Sequence, residues 1–233
     1  MTIFKNSIFK FILILGMSMP AVFYMTGGIV LVAYALPTGG GSTAASLETQ
    51  KQVLIAIADA AIKKLDAAEN AIQSNSVLSA ATKQTTIAVL QGAEDQLISY
   101  KAQIAQATTA AEIQALNQQL VGYLQANKTV IAEAFKAAFT EIGAAAAVKA
   151  EEFEAMVEQT IKLLKIACPQ QIATLSALED QLDALEIKIE ALKAAVAAKD
   201  SAAIRQIMSE ISALIKSMSA NIKIIEAECD IPV

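Results

Sequence analysis

Leu175-Ser-Ala-Leu-Glu-Asp-Gln-Leu-Asp-Ala-Leu-Glu-Ile-Lys-Ile-Glu-Ala-Leu-Lys-Ala-Ala-Val196 places Leu175, Leu178, Leu182, Leu185, Ile189, Leu192 and Val196 at alternating steps of three and four residues. That is the apolar row of a heptad repeat, which lays one narrow stripe of a helix against neighbouring helices. The row decides the fold class as all-α and carries no chemistry of its own. Composition extends it to the rest of the chain. Hydrophobic residues make up 55% of 233 and aromatics only 5%, while four prolines and nine glycines are the sole strong breakers. Much of the apolar content is alanine, the best helix former and a poor core filler, so the pattern describes thin, closely packed helices.

The same composition excludes function classes. There is no histidine, which removes Ser-His-Asp and Cys-His nucleophilic sites and the Glu-x-x-His di-iron sites of helical bundles. Two cysteines without histidine do not make a structural zinc site. The net charge is −5, and an acidic chain with scattered lysines is a poor ligand for nucleic acid. No catalytic, cofactor-binding or metal-ligating set emerges, and a non-enzymatic protein without cofactors is expected.

The N-terminus points to export. Residues 1–10 carry Lys5 and Lys10, and residues 11–35 carry no charge. Two readings stand side by side. One is a secretory signal peptide cleaved after Ala33-Tyr34-Ala35, an A-x-A site. The other is an uncleaved membrane anchor, since about 20 apolar residues cross a bilayer. Both keep the lysines inside and put residue 36 onward outside the cytoplasm, secreted, periplasmic or anchored. Without residues 1–35 the chain has 16 bases against 23 acids, or −7. Residues 36–45 are small, uncharged and turn-forming, a linker.

Five helices are predicted beyond it, over about 46–73, 78–107, 110–167, 170–198 and 202–228. Thr109-Ala-Ala-Glu112 is a capping box for the third. Cys168-Pro169 ends it, because Pro disfavours helix in the residue before it. Asp200 or Ser201 caps the fifth. A phrase recurs between the second and fourth. Leu90-Gln-Gly-Ala-Glu-Asp-Gln-Leu97 precedes Leu175-Ser-Ala-Leu-Glu-Asp-Gln-Leu182 by 85 residues, and Leu90, Ala93, Leu97, Tyr100 and Ile104 match Leu175, Leu178, Leu182, Leu185 and Ile189. Ile113, Leu116, Leu120 and Tyr123 match Ile204, Ile207, Ile211 and Leu214 at an offset of 91. This reads as an internal repeat, against the alternative that any two Ala/Leu/Glu heptads align.

The repeat implies two antiparallel three-helix units, 46–142 and 143–233, sharing the long third helix. Straight, such a helix would reach on the order of 80 Å at 1.5 Å per residue, giving an elongated bundle; a bend near Gly143 would instead fold all five helices together. The plan resembles tandem spectrin-type repeats in topology only, because that family's motif residues and tryptophans are missing. In an up-down-up unit the third and fifth helices are parallel, so Cys168 and Cys229 fall at one end. An exported compartment permits a disulfide between them; two free buried thiols are the alternative.

Other clusters read as surface or core. Glu151, Glu152, Glu154 and Glu158 stack at helical spacing and could hold a cation, but Lys149 and Lys162 stand where they would pair. Glu94-Asp95 and Glu179-Asp180 read as solvent edges. Asn127-Lys-Thr129 fits a glycosylation sequon mid-helix. The alanine-rich stretch 134–148, with Phe135 and Phe139, is either a packed junction or a membrane-seeking patch. The expected function is an extracytoplasmic structural, spacer or protein-binding module whose partner is another protein or a second copy, with membrane association through residues 11–35. The alternatives are a secreted membrane-active, pore-forming-like helical protein and a subunit of a pilus or secretion apparatus.

Overall fold

The computed structural model describes residues 44–229. Among them are five α-helices: α1 (Ala44–Ser74), α2 (Ala80–Gln106), α3 (Ala110–Ala167), α4 (Ile172–Ala197) and α5 (Ser201–Glu228), with a 3-10 turn over Pro169–Gln171. The chain is an all-α helical bundle. It forms two compact units, dividing between Phe135 and Lys136. The 58-residue helix α3 contributes to both, and it continues through Gly143 without a break in the helix.

Local chemistry sets the helix boundaries. Thr109 Oγ1 accepts from the Glu112 amide at 3.2 Å. Glu112 reaches back to accept from the Thr108 and Thr109 amides at 2.6 and 3.1 Å. Three donors that would otherwise face water unpaired are thereby satisfied. At the α1–α2 joint, Asn75 Oδ1 accepts from the amides of Val77 and Leu78, a side-chain-closed turn. This turn holds Leu78 outside α2, which starts two residues later than the apolar pattern suggests, with Ser79 as its cap. Pro169 converts the expected start of the fourth helix into the 3-10 turn, so α4 begins at Ile172. Asp200 caps α5 by accepting from Ala202 and Ala203 at 3.0 Å each.

The first unit comprises α1, α2 and residues 110–135. Partners on α1 and α2 run in opposite numerical order: Lys51 reaches Ala105, Lys101 pairs with Asp59, Gln91 bonds Glu69 and Lys83 reaches Gln73. The hairpin is therefore antiparallel. Lys51 and Lys83 donate to carbonyls near the C-termini of α2 and α1, where cations oppose the negative helix end. The core is Leu54, Ala58, Leu65, Ala68 and Ile72 of α1, Leu90, Ala93, Leu97 and Ile104 of α2, and Ile113, Leu120, Leu124 and Phe135 of α3. Thr86 is a buried polar residue of this core, and its hydroxyl donates to the Ala134 carbonyl at 3.3 Å. Ala93 leaves room beside it. The Tyr123 hydroxyl fills that level by donating to the Ala93 carbonyl, its ring 5.5 Å from that of Tyr100.

The second unit comprises residues 136–167, α4 and α5. Here α3 and α4 are antiparallel, with Glu151 on Lys193 and Lys165 on Glu179. So are α4 and α5, with Gln181 on Ser217 and Lys188 on Glu210. Helices α3 and α5 are parallel: Arg205 lies over the Phe139 ring near their starts, and Cys168 meets Cys229 at their ends. Leu175, Leu178, Leu185, Ile189 and Leu192 of the heptad row are buried. Leu182 and Val196 are only half-buried, and Ala195 is buried in place of the row's last member. A helix of 3.6 residues per turn drifts about 20° per heptad against a strict seven-residue row. By its last turn the row has rotated partly out of the core.

Gly143 marks the closest approach. A Cβ there would stand 2.8 Å from Ile204 Cγ2 and 2.9 Å from Val196 Cγ2. Both neighbours are β-branched and stiff at χ1, so they yield poorly. Gly143→Ala should therefore destabilise the unit by about 1–2 kcal/mol, overpacking outweighing the gain in helix propensity. Gly92 and Gly122 have nothing within 4 Å of the same position, and their alanine variants should gain about 0.5–1 kcal/mol. Urea titration of the three variants would read this reversal of sign.

Lys199 closes α4 at φ 52°. Its amide donates to Val196 O and that of Asp200 to Ala195 O, both at 3.0 Å. This is a Schellman ending, whose left-handed residue is usually glycine. Lys199→Gly should raise stability by about 1 kcal/mol, measured as a shift in the thermal midpoint.

Candidate functional site

The carboxylates singled out by spacing are distributed among lysines. Glu152 pairs with Lys149 at 2.6 Å and Glu158 with Lys162 at 2.7 Å. Lys193 of α4 bridges Glu151 at 2.5 Å and Glu190 at 2.6 Å. Those two bonds raise the Lys193 ammonium above its ordinary range. Glu154 stands apart from these pairs. Partial burial, then Glu186 across the helix pair, raise its pKa, with further contributions from Glu151 and Glu158. Glu151 and Glu154 thus lie on the polar edge of an α3–α4 contact, while Glu152 and Glu158 pair with lysines of α3 itself. Among the described residues no group of three or more His, Cys, Asp or Glu side chains is placed to hold a metal ion.

A second acidic edge lies on the α1–α2 hairpin. Glu94 is half-buried, and desolvation is the main cause of its raised pKa, followed by the charges of Asp66, Glu69 and Asp95 and a hydrogen bond with Asp66. The sign follows from linkage: the folded chain holds this proton more tightly than the unfolded one. The contribution is therefore present below the ordinary carboxylate range and lost as pH rises through the raised value. Glu94→Gln should raise the thermal midpoint at pH 7 and give no gain at pH 4. A series of melts from pH 4 to 8 on both proteins checks it.

The remaining candidates have structural environments. Asn127 of the sequon is half-buried, and its side-chain amide donates to the Tyr123 carbonyl at 3.1 Å. That nitrogen, the one a glycan would occupy, is engaged within the helix. In the stretch 134–148, Phe135, Ala138, Phe139, Ile142, Ala146 and Ala147 are buried and Val148 is exposed. Ala33 and Ala35, with the whole of residues 1–35 and most of the linker, lie outside the described residues. Among those described, no helix is long and apolar enough to cross a membrane.

The most distinctive arrangement is the end of the second unit. Cys168 is buried at the end of α3 and joined to Cys229 at the end of α5, with Cα atoms 5.9 Å apart. The 3-10 turn packs beside the bridge: Gln170 Nε2 approaches Cys229 Sγ at 3.7 Å, and Gln171 Nε2 donates to Glu228 at 2.5 Å. Lys165 meets Glu179 at the same end. Polar side chains thus close around one covalent tie. The turn and the glutamine contacts had no signal in the sequence beyond Pro169, because they depend on α5 arriving about 60 residues later.

Fold and site together define a disulfide-tied, all-α bundle of two three-helix units. No protein-family model, no curated protein and no solved structure matches the chain.

Proposed function

We propose that this is an exported, non-enzymatic helical-bundle protein that acts outside the cytoplasm as a structural, spacer or protein-binding module. The observation that carries the reading is the Cys168–Cys229 disulfide, a bond that persists mainly in oxidising compartments. It agrees with the two lysines, the charge-free residues 11–35 and the Ala33-Tyr34-Ala35 site that precede the bundle. The structural role is supported by where the side chains go. Large apolar residues fill two narrow cores, and the carboxylates meet lysines or one another along helix edges. Such surfaces offer shape and charge to another protein or to a second copy.

We further propose that the two units descend from one repeated register. Leu116 and Tyr123 are half-buried where their matches Ile207 and Leu214 are half-buried, and Ile113 and Leu120 are buried as Ile204 and Ile211 are. Thr109 and Asp200, both helix caps, stand 91 residues apart, the same offset. Ala93 with Tyr123 replaces Leu178 with Leu214, a small–large pair for two of middle size.

The test is N-terminal sequencing of the natively produced protein by cell fraction, with thiol counting by mass. A start at Leu36 in an extracytoplasmic fraction, or an intact Met1 in membranes with residues 36–233 open to external protease, supports export. An intact Met1 in the cytosol with two reduced thiols overturns it. The membrane-active alternative finds less support, since the apolar residues of 134–148 are spent on cores. No leakage of dye from liposomes is expected at micromolar protein.

A further inference from the structure

Tyr100 of α2 and Tyr123 of α3 are the two tyrosines among the described residues. Their ring centroids lie 5.5 Å apart with the planes inclined at 54°, inside the range of direct aromatic contact. Both side chains are half-buried, so each keeps part of its surface open to small solutes. The Tyr123 hydroxyl is anchored on the Ala93 carbonyl at 3.2 Å. Burial, then the charge of Tyr100, push the Tyr123 phenol up, which sets the two hydroxyl ends within electrostatic reach of each other. Apolar packing does not demand a phenol at either position, since the second unit carries Leu185 and Leu214 at the matching ones.

Redox chemistry singles the pair out further. Residues 44–135 contain no cysteine, methionine, tryptophan or histidine, so these two phenols are the most readily oxidised side chains of the first unit. A one-electron oxidant takes an electron and a proton from each phenol. The unpaired spin of each phenoxyl radical rests partly on the ring carbons ortho to the oxygen. Two such radicals in contact form a carbon–carbon bond between ortho carbons. The hydrogen on each joined carbon then moves to its oxygen, which restores both rings and both hydroxyls. The chain loses two hydrogen atoms in all, and one hydrogen peroxide, acting through a haem peroxidase, accepts them and becomes two waters. Phenol rings turn broadly about χ2, so ortho carbons can be brought to face each other without moving the helices apart.

We propose that Tyr100 and Tyr123 are an oxidative cross-linking site, at which a peroxidase-type one-electron oxidant with hydrogen peroxide forms a dityrosine bond within the chain. The inference rests on the ring contact and not on export. The bond joins α2 to α3 and gives the first unit a covalent tie, as the disulfide does for the second. Because the fold holds both rings together, coupling within one molecule has a large advantage in effective concentration over coupling between molecules.

The test treats dilute full-length protein with a haem peroxidase and hydrogen peroxide, separates monomer from larger species, and digests each with trypsin. The monomer should show the blue emission of a biphenol, which tyrosine lacks. Its peptides 84–101 and 102–128, which carry Tyr100 and Tyr123, should be joined and lighter by two hydrogens than their sum. Tyr100→Phe and Tyr123→Phe keep the rings, and each should abolish this joined pair while far-UV circular dichroism stays the same. Free tyrosine coupled in a parallel reaction shows that the oxidant works. Recovery of the two peptides unlinked beside that control overturns the proposal. So does a link between them found only in dimers or larger species, or a monomer whose emission comes from Tyr24 or Tyr34 and survives both variants.

Discussion

Leu185→Ala is expected to destabilise the second unit by about 3–4 kcal/mol, while Leu182→Ala, one step earlier in the same row, costs about half as much. Leu185 is fully buried. Removing its three outer carbons forfeits their transfer free energy and leaves a cavity, a combination that spans about 2–5 kcal/mol in close-packed cores. The buried side chains that α3 and α5 contribute to this unit include Phe153, Val157, Ile161, Ile211 and Ile215, and stiff β-branched and aromatic groups do not collapse into a gap without leaving their rotamers. Leu182 is half-buried, so part of its surface already meets water and the cavity term shrinks. Urea titrations of the full-length chain, followed by circular dichroism, give the two midpoints. Equal losses would mean that the row acts as a uniform seam, contrary to the burial seen along it.

The contrast between these two leucines shows what the sequence does and does not hold. The three-four spacing identifies α4 because helical periodicity is local, and the capping box Thr109-Ala-Ala-Glu112 fixes the start of α3 because its three bonds form within five residues. Leu182 and Val196 were equal members of the row by spacing. Their partial exposure depends on how α3 and α5 cross α4, which is long-range information. The same holds for the carboxylates of α3. Glu154 and Glu158 are neighbours by helical geometry, yet Glu151 finds Lys193 on another helix, and no local pattern names that lysine. By sequence, Gly143 left open either a straight helix or a bend. In the structure the absence of its side chain lets Ile204 and Val196 close in, and α3 continues through it. Sequence periodicity thus defines which residues form helices and roughly which side is apolar. Partners across helices come from the packing, whereas the Lys149–Glu152 and Lys162–Glu158 pairs follow from spacing on one helix.

Breaking the Cys168–Cys229 bond should cost the second unit about 4 kcal/mol. The two cysteines are 61 positions apart, and in the chain-entropy treatment a loop of that length restricts the unfolded state by about this amount. Reductant added to the full-length chain should lower the urea midpoint of the second unit. The replacements should differ in order. Cys168 is fully buried, and Cys229 is half-buried beside Gln170. Cys229→Ser leaves a thiol in the core, where cysteine behaves as a small hydrophobe. Cys168→Ser places a hydroxyl there, and if that hydroxyl finds no acceptor it adds about 1–3 kcal/mol to the loss. The expected order of stability is therefore oxidised chain, then Cys229→Ser, then Cys168→Ser, with Cys168→Ala falling close to Cys229→Ser. Because the bond acts mostly on the unfolded state, the helical content of the reduced protein in water should stay near that of the oxidised one, and only the midpoint should move. A reduced chain that keeps its midpoint would show that the end of α5 is held by Gln171, Glu228 and the apolar contacts of Ile225 alone. The tie would then be dispensable for folding, and its place at the end of the unit would have to be explained by what docks there.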